Sequence, residues 1–283
     1  MASILQLKRR ILAAQNVSKT TRAMQMIAAS KLKRAQDAAL FGRPYAEKLI
    51  SISKNLALKT VEEYTHPYLA QKKNYQNSLL IVFAPDKGLC GGLISGLTRE
   101  LLAEKLKKET SFYLTVGKKI ERVVTRLGKE VIASFKFGTT LPPFDAVFPI
   151  IKIIDECFLG KRVDRVAIVG SAFLNVFSQK PNMATILPIE LPQDLESKVF
   201  TLFEPVQEVL LPALLKHYLE ITIYQHMLES YASEQAARMV AMRNATDNAL
   251  EIASDLRLEY NKERQEKITN EILDIGGASV LQI

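Results

Sequence analysis

Residues 4–39, ILQLKRRILAAQNVSKTTRAMQMIAASKLKRAQDAA, contain neither glycine nor proline. Within them Ile4, Leu7, Ile11, Ala14, Ser18, Thr21, Gln25, Ala28, Leu32, Ala35 and Ala39 recur at spacings of three and four. That rhythm is a heptad seam, the mark of a long helix that lies along another helix. The seam is polar in its middle, where Ser18, Thr21 and Gln25 replace large apolar residues. The helical pattern continues to about Leu56, and Gly42 and Pro44 are the expected place for a bend or an interruption. About 50 helical residues span roughly 75–80 Å. A helix with one apolar stripe needs a partner.

The partner is at the other end of the chain. From about Glu208 to Leu273 the only proline is Pro212, expected in a first turn, and no glycine occurs before Gly276. Leu214, His217, Ile221, Tyr224, Leu228, Tyr231, Gln235, Arg238, Met242, Ala245, Ala249, Ile252 and Leu256 repeat the same spacing, with polar breaks at Gln235 and Arg238. Two such helices predict an antiparallel coiled coil. The middle changes period. Strands are expected at Ser78–Ala84, Phe112–Val116, Val131–Lys136, Arg165–Gly170 and Ala184–Pro188, and helices at Gly91–Glu109, Lys118–Lys129 and Phe148–Leu159. Strands alternating with helices predict an α/β layer with a largely parallel sheet. The expected division is therefore 1–60 and 206–283 as coiled-coil helices around a Rossmann-like α/β domain at 75–205, with connectors near 60–75 and 190–207.

Composition narrows the class. The 283 residues are 48% hydrophobic and 24% charged, an ordinary globular balance. The longest apolar runs, such as Leu79–Ala84, are strand length, far short of a membrane span. No apolar signal core precedes Lys8. Two cysteines, Cys90 and Cys157, are too few for a disulfide scaffold and point to a reduced compartment. The net charge of +8 is concentrated: residues 1–54 hold eleven basic side chains against Asp37 and Glu47, a local balance of +9. A segment this basic expects an acidic partner, whether protein surface, nucleic acid or anionic membrane.

Catalytic material is sparse. Pro85–Gly92 (PDKGLCGG) follows the first expected strand, where an α/β fold places a phosphate loop, but it fits neither phosphate-loop pattern and reads as a tight turn. His66, His217 and His226 lack metal-ligand spacing. The carboxylates from Glu259 to Asp274 alternate with Lys262, Arg264 and Lys267, as on a solvated helix face. No catalytic, cofactor or metal site is expected. Met24, Met26, Met239 and Met242 cluster near the polar breaks, as core filler or as flexible contacts for a changing neighbour.

Three separated motifs carry a resemblance. They are Arg9–Ile11 with Gln15–Leu32 (QNVSKTTRAMQMIAASKL), Asp86–Gly92 (DKGLCGG), and Glu234–Ala249 (EQAARMVAMRNATDNA) continued by Leu258–Ile272 (LEYNKERQEKITNEI). Together they resemble the gamma-subunit family of the F-type ATP synthases. Thr21 stands where that family usually has an aliphatic residue, and Asp274–Ala278 is one residue short of its pattern. No cysteine-bearing insertion of the chloroplast kind is present.

The resemblance implies a rotor shaft. Its terminal helices would turn inside a ring of alternating alpha and beta subunits, and its foot would meet the epsilon subunit and the membrane c-ring. Ion-driven rotation would then drive the beta subunits through their nucleotide states, with one copy per complex on the cytoplasmic face of the bacterial inner membrane. Nucleic acid is not a partner on this reading, and ATP chemistry belongs to the beta subunits. The resemblance assigns partner contacts to Lys19, Arg22, Met24 and Lys31, facing acidic lever loops of beta, to Arg238, and to Arg264, Gln265, Thr269 and Glu271, facing catch loops. It also implies an apolar tip at Gly276–Ile283. The competing reading is a basic coiled coil that binds nucleic acid or anionic membrane, although no aromatic-interleaved basic patch or helix-turn-helix is evident. A small α/β enzyme with helical extensions lacks the necessary side chains.

Overall fold

The computed structural model describes residues 4–60, 66–70, 75–104, 110–189, 204 and 206–280. The N-terminal heptads form α1, Ile4–Thr60, and the C-terminal ones form α5, Gln207–Val280. Between them come β1 Asn77–Phe83, α2 Leu93–Glu104, β2 Thr110–Val116, α3 Lys118–Arg126, β3 Val131–Phe135, α4 Phe148–Leu159, β4 Arg165–Asn175 and β5 Ser178–Leu187. The expected continuation of α2 to Glu109 and most of the two expected connectors lie outside the described residues, as do residues 281–283 of the expected apolar tip.

The sheet order is β3-β2-β1-β4-β5. β1 pairs in parallel with β2 and β4, and β2 with β3, while β5 is an antiparallel edge on β4. The chain steps outward from β1 to β3 and then returns to the other side of β1, which is the Rossmann-like reversal of strand order. β1 is apolar from Leu79 to Phe83 because both of its faces are covered. On one face Leu80, Val82 and Val169 meet Leu97 and Leu101 of α2 and Ile120 and Val124 of α3. On the other, Phe83, Phe137 and Tyr231 of α5 stack in succession, with centroids 6.3 and 6.2 Å apart.

Contacts group the chain into two compact units, residues 1–28 with 239–283 and residues 29–238, and both long helices contribute to each. In the first, Leu7, Ser18 and Ala28 of α1 and Met242, Thr246, Ala249, Ala253 and Leu256 of α5 are buried. In the second, Tyr45 meets His217 and Gly42 lies against Gln225, so the helices run antiparallel.

Three local expectations change. α1 runs through Gly42 and Pro44 without interruption. Pro44 forfeits one helical hydrogen bond, and contacts with α5 on either side hold the helix together. The buried stripe of α5 in the second unit is Leu211, Leu215, Leu219, Ile223 and Met227, not the seam through Leu214 and Ile221, and Ser230–Ala237 are buried all round. There α5 is covered by the sheet domain as well as by α1, so a single heptad seam no longer describes it. Finally, β4 and β5 extend beyond the expected Arg165–Gly170 and Ala184–Pro188. β1 reaches β4 only as far as Val169, and the remainder pairs with β5 alone as a two-stranded arm.

Candidate partner-contact surfaces

The first unit is built from small and hydroxylated residues. Ser18 donates to the Gln15 carbonyl at 3.0 Å, Thr21 to the Val17 and Ser18 carbonyls at 3.0 and 3.1 Å, and Thr246 to that of Met242 at 2.8 Å. The hydroxyls of Thr21 and Thr246 also meet across the pair at 2.6 Å. Because each helix satisfies its own hydroxyls, the polar seam is buried without orphaned groups. Small side chains leave little apolar area to bury between the helices, and large apolar residues remain outside. Leu12, Val17, Met26, Ile27, Leu250, Ile252 and Leu258 are all about half exposed or more. Lys19 and Arg22 are exposed on α1, and Met24 is 39% exposed beside them.

Beyond Leu256, α5 lies open. From Arg257 to Leu273 every residue is exposed except half-buried Tyr260 and Glu263, so Arg264, Gln265, Thr269 and Glu271 all face outward. Local support consists of the Thr269 hydroxyl on the Gln265 carbonyl at 2.9 Å and the pairs Lys262–Glu266 and Lys267–Glu271 at 4.0 and 3.6 Å. Such exposed pairs contribute about 0.3–0.5 kcal/mol each, little for a helix of this length.

The second unit holds the other two assigned residues, Arg238 on a carboxylate and Lys31 on a backbone carbonyl. Glu234 is buried, and its Oε1 accepts from Arg238 Nη2 at 2.7 Å. Burial pushes the Glu234 carboxyl up, the adjacent Arg238 guanidinium draws it back, Asp86 pushes it up and Lys31 draws it down. Lys31 donates through Nζ to the Thr139 carbonyl, which also receives the Tyr231 hydroxyl. Arg238 reaches the Lys87 and Gly88 carbonyls at 3.5 Å. The acid at position 234 was legible as an i,i+4 partner of Arg238, but its burial was not.

At the crest of the sheet, Asp86 ties together the segments that follow β1, β2 and β3. The Asp86 carboxylate accepts from Lys118 N at the start of α3 and from Gly138 N, each at 2.8 Å. A side-chain anion thus occupies the first amide of α3 and the amide of Gly138. Gly117 precedes α3 with φ 123°, and a Cβ there would lie 1.9 Å from the Ala84 carbonyl oxygen. Ser233 of α5 donates to the Ser171 carbonyl at 2.8 Å, laying the helix against β4. Cys90 and Cys157 are buried free thiols, and burial pushes both up, away from the thiolate. Among the described residues no group of His, Cys, Asp and Glu is placed to hold a metal.

The model of a family described as ATP synthase matches residues 3–281. An ATP synthase gamma chain of Dehalococcoides mccartyi is 41% identical over 292 residues, covering 99% of this chain and all of that one. The chain belongs to the ATP synthase gamma-chain family. A gamma chain of a Roseiflexus species is 39% identical, with 99% of each covered. Among solved structures, the central stalk and c-ring of the Tetrahymena thermophila mitochondrial ATP synthase gives a TM-score of 0.64 at 24% identity, over 80% of this chain and 99% of that one. A Euglena gracilis mitochondrial ATP synthase chain gives 0.59 at 18% identity, over 92% and 95%. These two likenesses speak to the fold. Family membership accounts for the paired long helices around a parallel-sheet domain, and it gives no support to the nucleic-acid or membrane-binding alternative.

Proposed function

We propose that this chain is the central rotor shaft of an F-type ATP synthase, coupling ion-driven c-ring rotation to the conformational cycle of the catalytic beta subunits. The observation that carries the reading is the first unit itself: a narrow helix pair, basic on α1, ringed by exposed large apolar side chains and prolonged by an unsupported length of α5. Such a surface is suited to a cavity in a surrounding ring, and contact differing from side to side would bias each neighbouring subunit differently. The chain makes and breaks no bonds in this role, and ATP chemistry falls to beta. No described helix is long and apolar enough to cross a membrane, in keeping with a subunit that is peripheral. We place it on the cytoplasmic face of the bacterial inner membrane, at one copy per three alpha and three beta subunits, with epsilon and the c-ring at its foot. Segments 1–60 and 206–283 supply the shaft, and 75–205 its α/β domain.

In this reading Lys19, Arg22 and Met24 face acidic lever loops of beta, and Lys31 joins them with its remaining ammonium donors. Arg264, Gln265, Thr269 and Glu271 face catch loops, and Arg238 acts from its seat on Glu234 and the Lys87–Gly88 turn. The test is reconstitution with alpha and beta subunits. The isolated chain should associate non-specifically, join the ring once per six subunits, and rotate on ATP hydrolysis. Joint charge reversal of Lys19, Arg22 and Lys31 should lower torque more than assembly. Unaltered torque would remove the lever assignment.

A further inference from the structure

The two-stranded arm that β4 and β5 form beyond the sheet has a consequence for partner binding. Ser171 and its neighbours lie along α5, and the arm, α5 and the Gln36–Leu40 turn of α1 enclose an open groove of about 360 Å³. Leu40, Phe173, Leu174 and Ala232 make it apolar, and Asp37 and Glu229 make it acidic. Among the described residues no lysine or arginine lines it. Neither carboxylate is neutralised by an ion pair among the described residues. His226 lies near Glu229, but burial holds that imidazole below its ordinary value, so it supplies little positive charge at neutral pH. Leu40 and Leu174 are 59% and 57% exposed, and Phe177, in the turn of the same arm, is 76% exposed. Asp37 is one of only two acids among the first 54 residues, so this is a negative spot on the most basic part of the chain.

An isolated two-stranded arm is marginal in water, and one that displays large apolar side chains beside unpaired carboxylates is poorly explained as a solvated surface. We propose that this groove is a docking site for a segment of another subunit of the complex, one that carries a lysine or arginine between large apolar side chains. The cation would sit between Asp37 and Glu229 while its apolar neighbours cover Leu40, Leu174 and Phe177. Charge complementarity argues for this occupant, since an acidic or neutral segment would leave both carboxylates buried and unpaired.

The proposal rests on the shaft reading, and the experiment separates the two. The complete complex is purified from cells in which a photoreactive benzophenone amino acid replaces Leu174, then irradiated. The expected result is one cross-linked product with another subunit, mapped to a stretch holding a lysine or arginine among apolar residues. A product with an acidic stretch, with lipid or with a second copy of this chain overturns the proposal, as does the absence of any product. In the same complex Asp37→Lys, at an exposed helix position, should release that subunit about tenfold faster on salt washing, and an unchanged rate overturns the proposal. Alpha and beta are scored in each preparation. If they co-purify and Leu174 fails, the groove alone is refuted; if they do not co-purify, the shaft reading falls as well.

Discussion

The two units are stabilised in different ways. Residues 29–238 bury large aliphatic side chains on both faces of a sheet, with Leu79, Leu80, Ile81, Val82 and Leu114 at or near zero exposure. Residues 1–28 with 239–283 bury mostly alanine, serine, threonine and one leucine from each helix, and leave their larger apolar residues outside. The first arrangement supplies its own stability, at about 1.5–3 kcal/mol for each large side chain buried. The second depends on neighbours that the chain does not contain. The difference teaches that exposed large apolar side chains are denser along the helix pair than on the sheet-bearing unit, although Phe41 and Phe177 of the latter are the most exposed among the described residues, at 85% and 76%.

The most severe challenge to that contrast is Gly117→Ala. With φ at 123° and the Ala84 carbonyl in the way, the β2–α3 turn must move, and unfolding of residues 29–238 should come about 3–5 kcal/mol earlier in a urea titration. Ile81→Ala, at the centre of β1, should cost the same unit about 2–5 kcal/mol by leaving a cavity. Acidification should also act on this unit. Burial lowers the imidazoles of His66 and His226 from 6.5, so the unfolded chain takes up these protons first. Their contribution is complete above pH 6.5 and declines as pH falls toward the folded-state values. The other unit contains no histidine, so its helical signal should hold through the same range. There Thr246→Val should alter stability by less than about 1 kcal/mol, because its hydroxyl is satisfied largely within its own helix. Leu258→Ala should change stability of the isolated chain by no more than about 0.5 kcal/mol, measured by circular dichroism, yet weaken retention in the alpha–beta ring. A loss of stability from Leu258→Ala as large as that from Ile81→Ala would erase the distinction.

Much of this architecture was legible in the residue pattern. Phe148–Leu159 is a helix with the bounds its composition predicted, and the N-terminal seam through Leu7, Ser18, Ala28, Leu32 and Ala35 is the buried stripe of α1. The seam succeeds because there one helix meets one other helix and periodicity maps directly onto burial, and Phe148–Leu159 succeeds because one apolar face, Ile150, Ile151, Ile154 and Cys157, is buried. The stripe at Leu211–Met227 departs from the expected Leu214, His217, Ile221 and Tyr224 because a sheet covers that helix as well, while Leu228 and Tyr231 are buried as the spacing predicts. Of the assigned contact residues, Lys19, Arg22, Arg264, Gln265, Thr269 and Glu271 are exposed on their helices. The seat of Lys31 on the Thr139 carbonyl joins residues far apart in sequence, and no spacing announces it, whereas Arg238 and Glu234 have i,i+4 spacing and only the burial of the carboxylate was hidden.

Periodicity and charge placement determined the paired helices, the alternating middle and the basic N-terminal segment, because these are local properties of residue order. Tertiary structure alone determined that Asp86 bridges the amides of Lys118 and Gly138, that the Glu234 carboxylate is buried beside Arg238, and that the β4–β5 arm borders a groove around Asp37 and Glu229. Each of these depends on loops and helices brought together from distant parts of the chain, where burial rather than neighbouring sequence sets the energy of a charge.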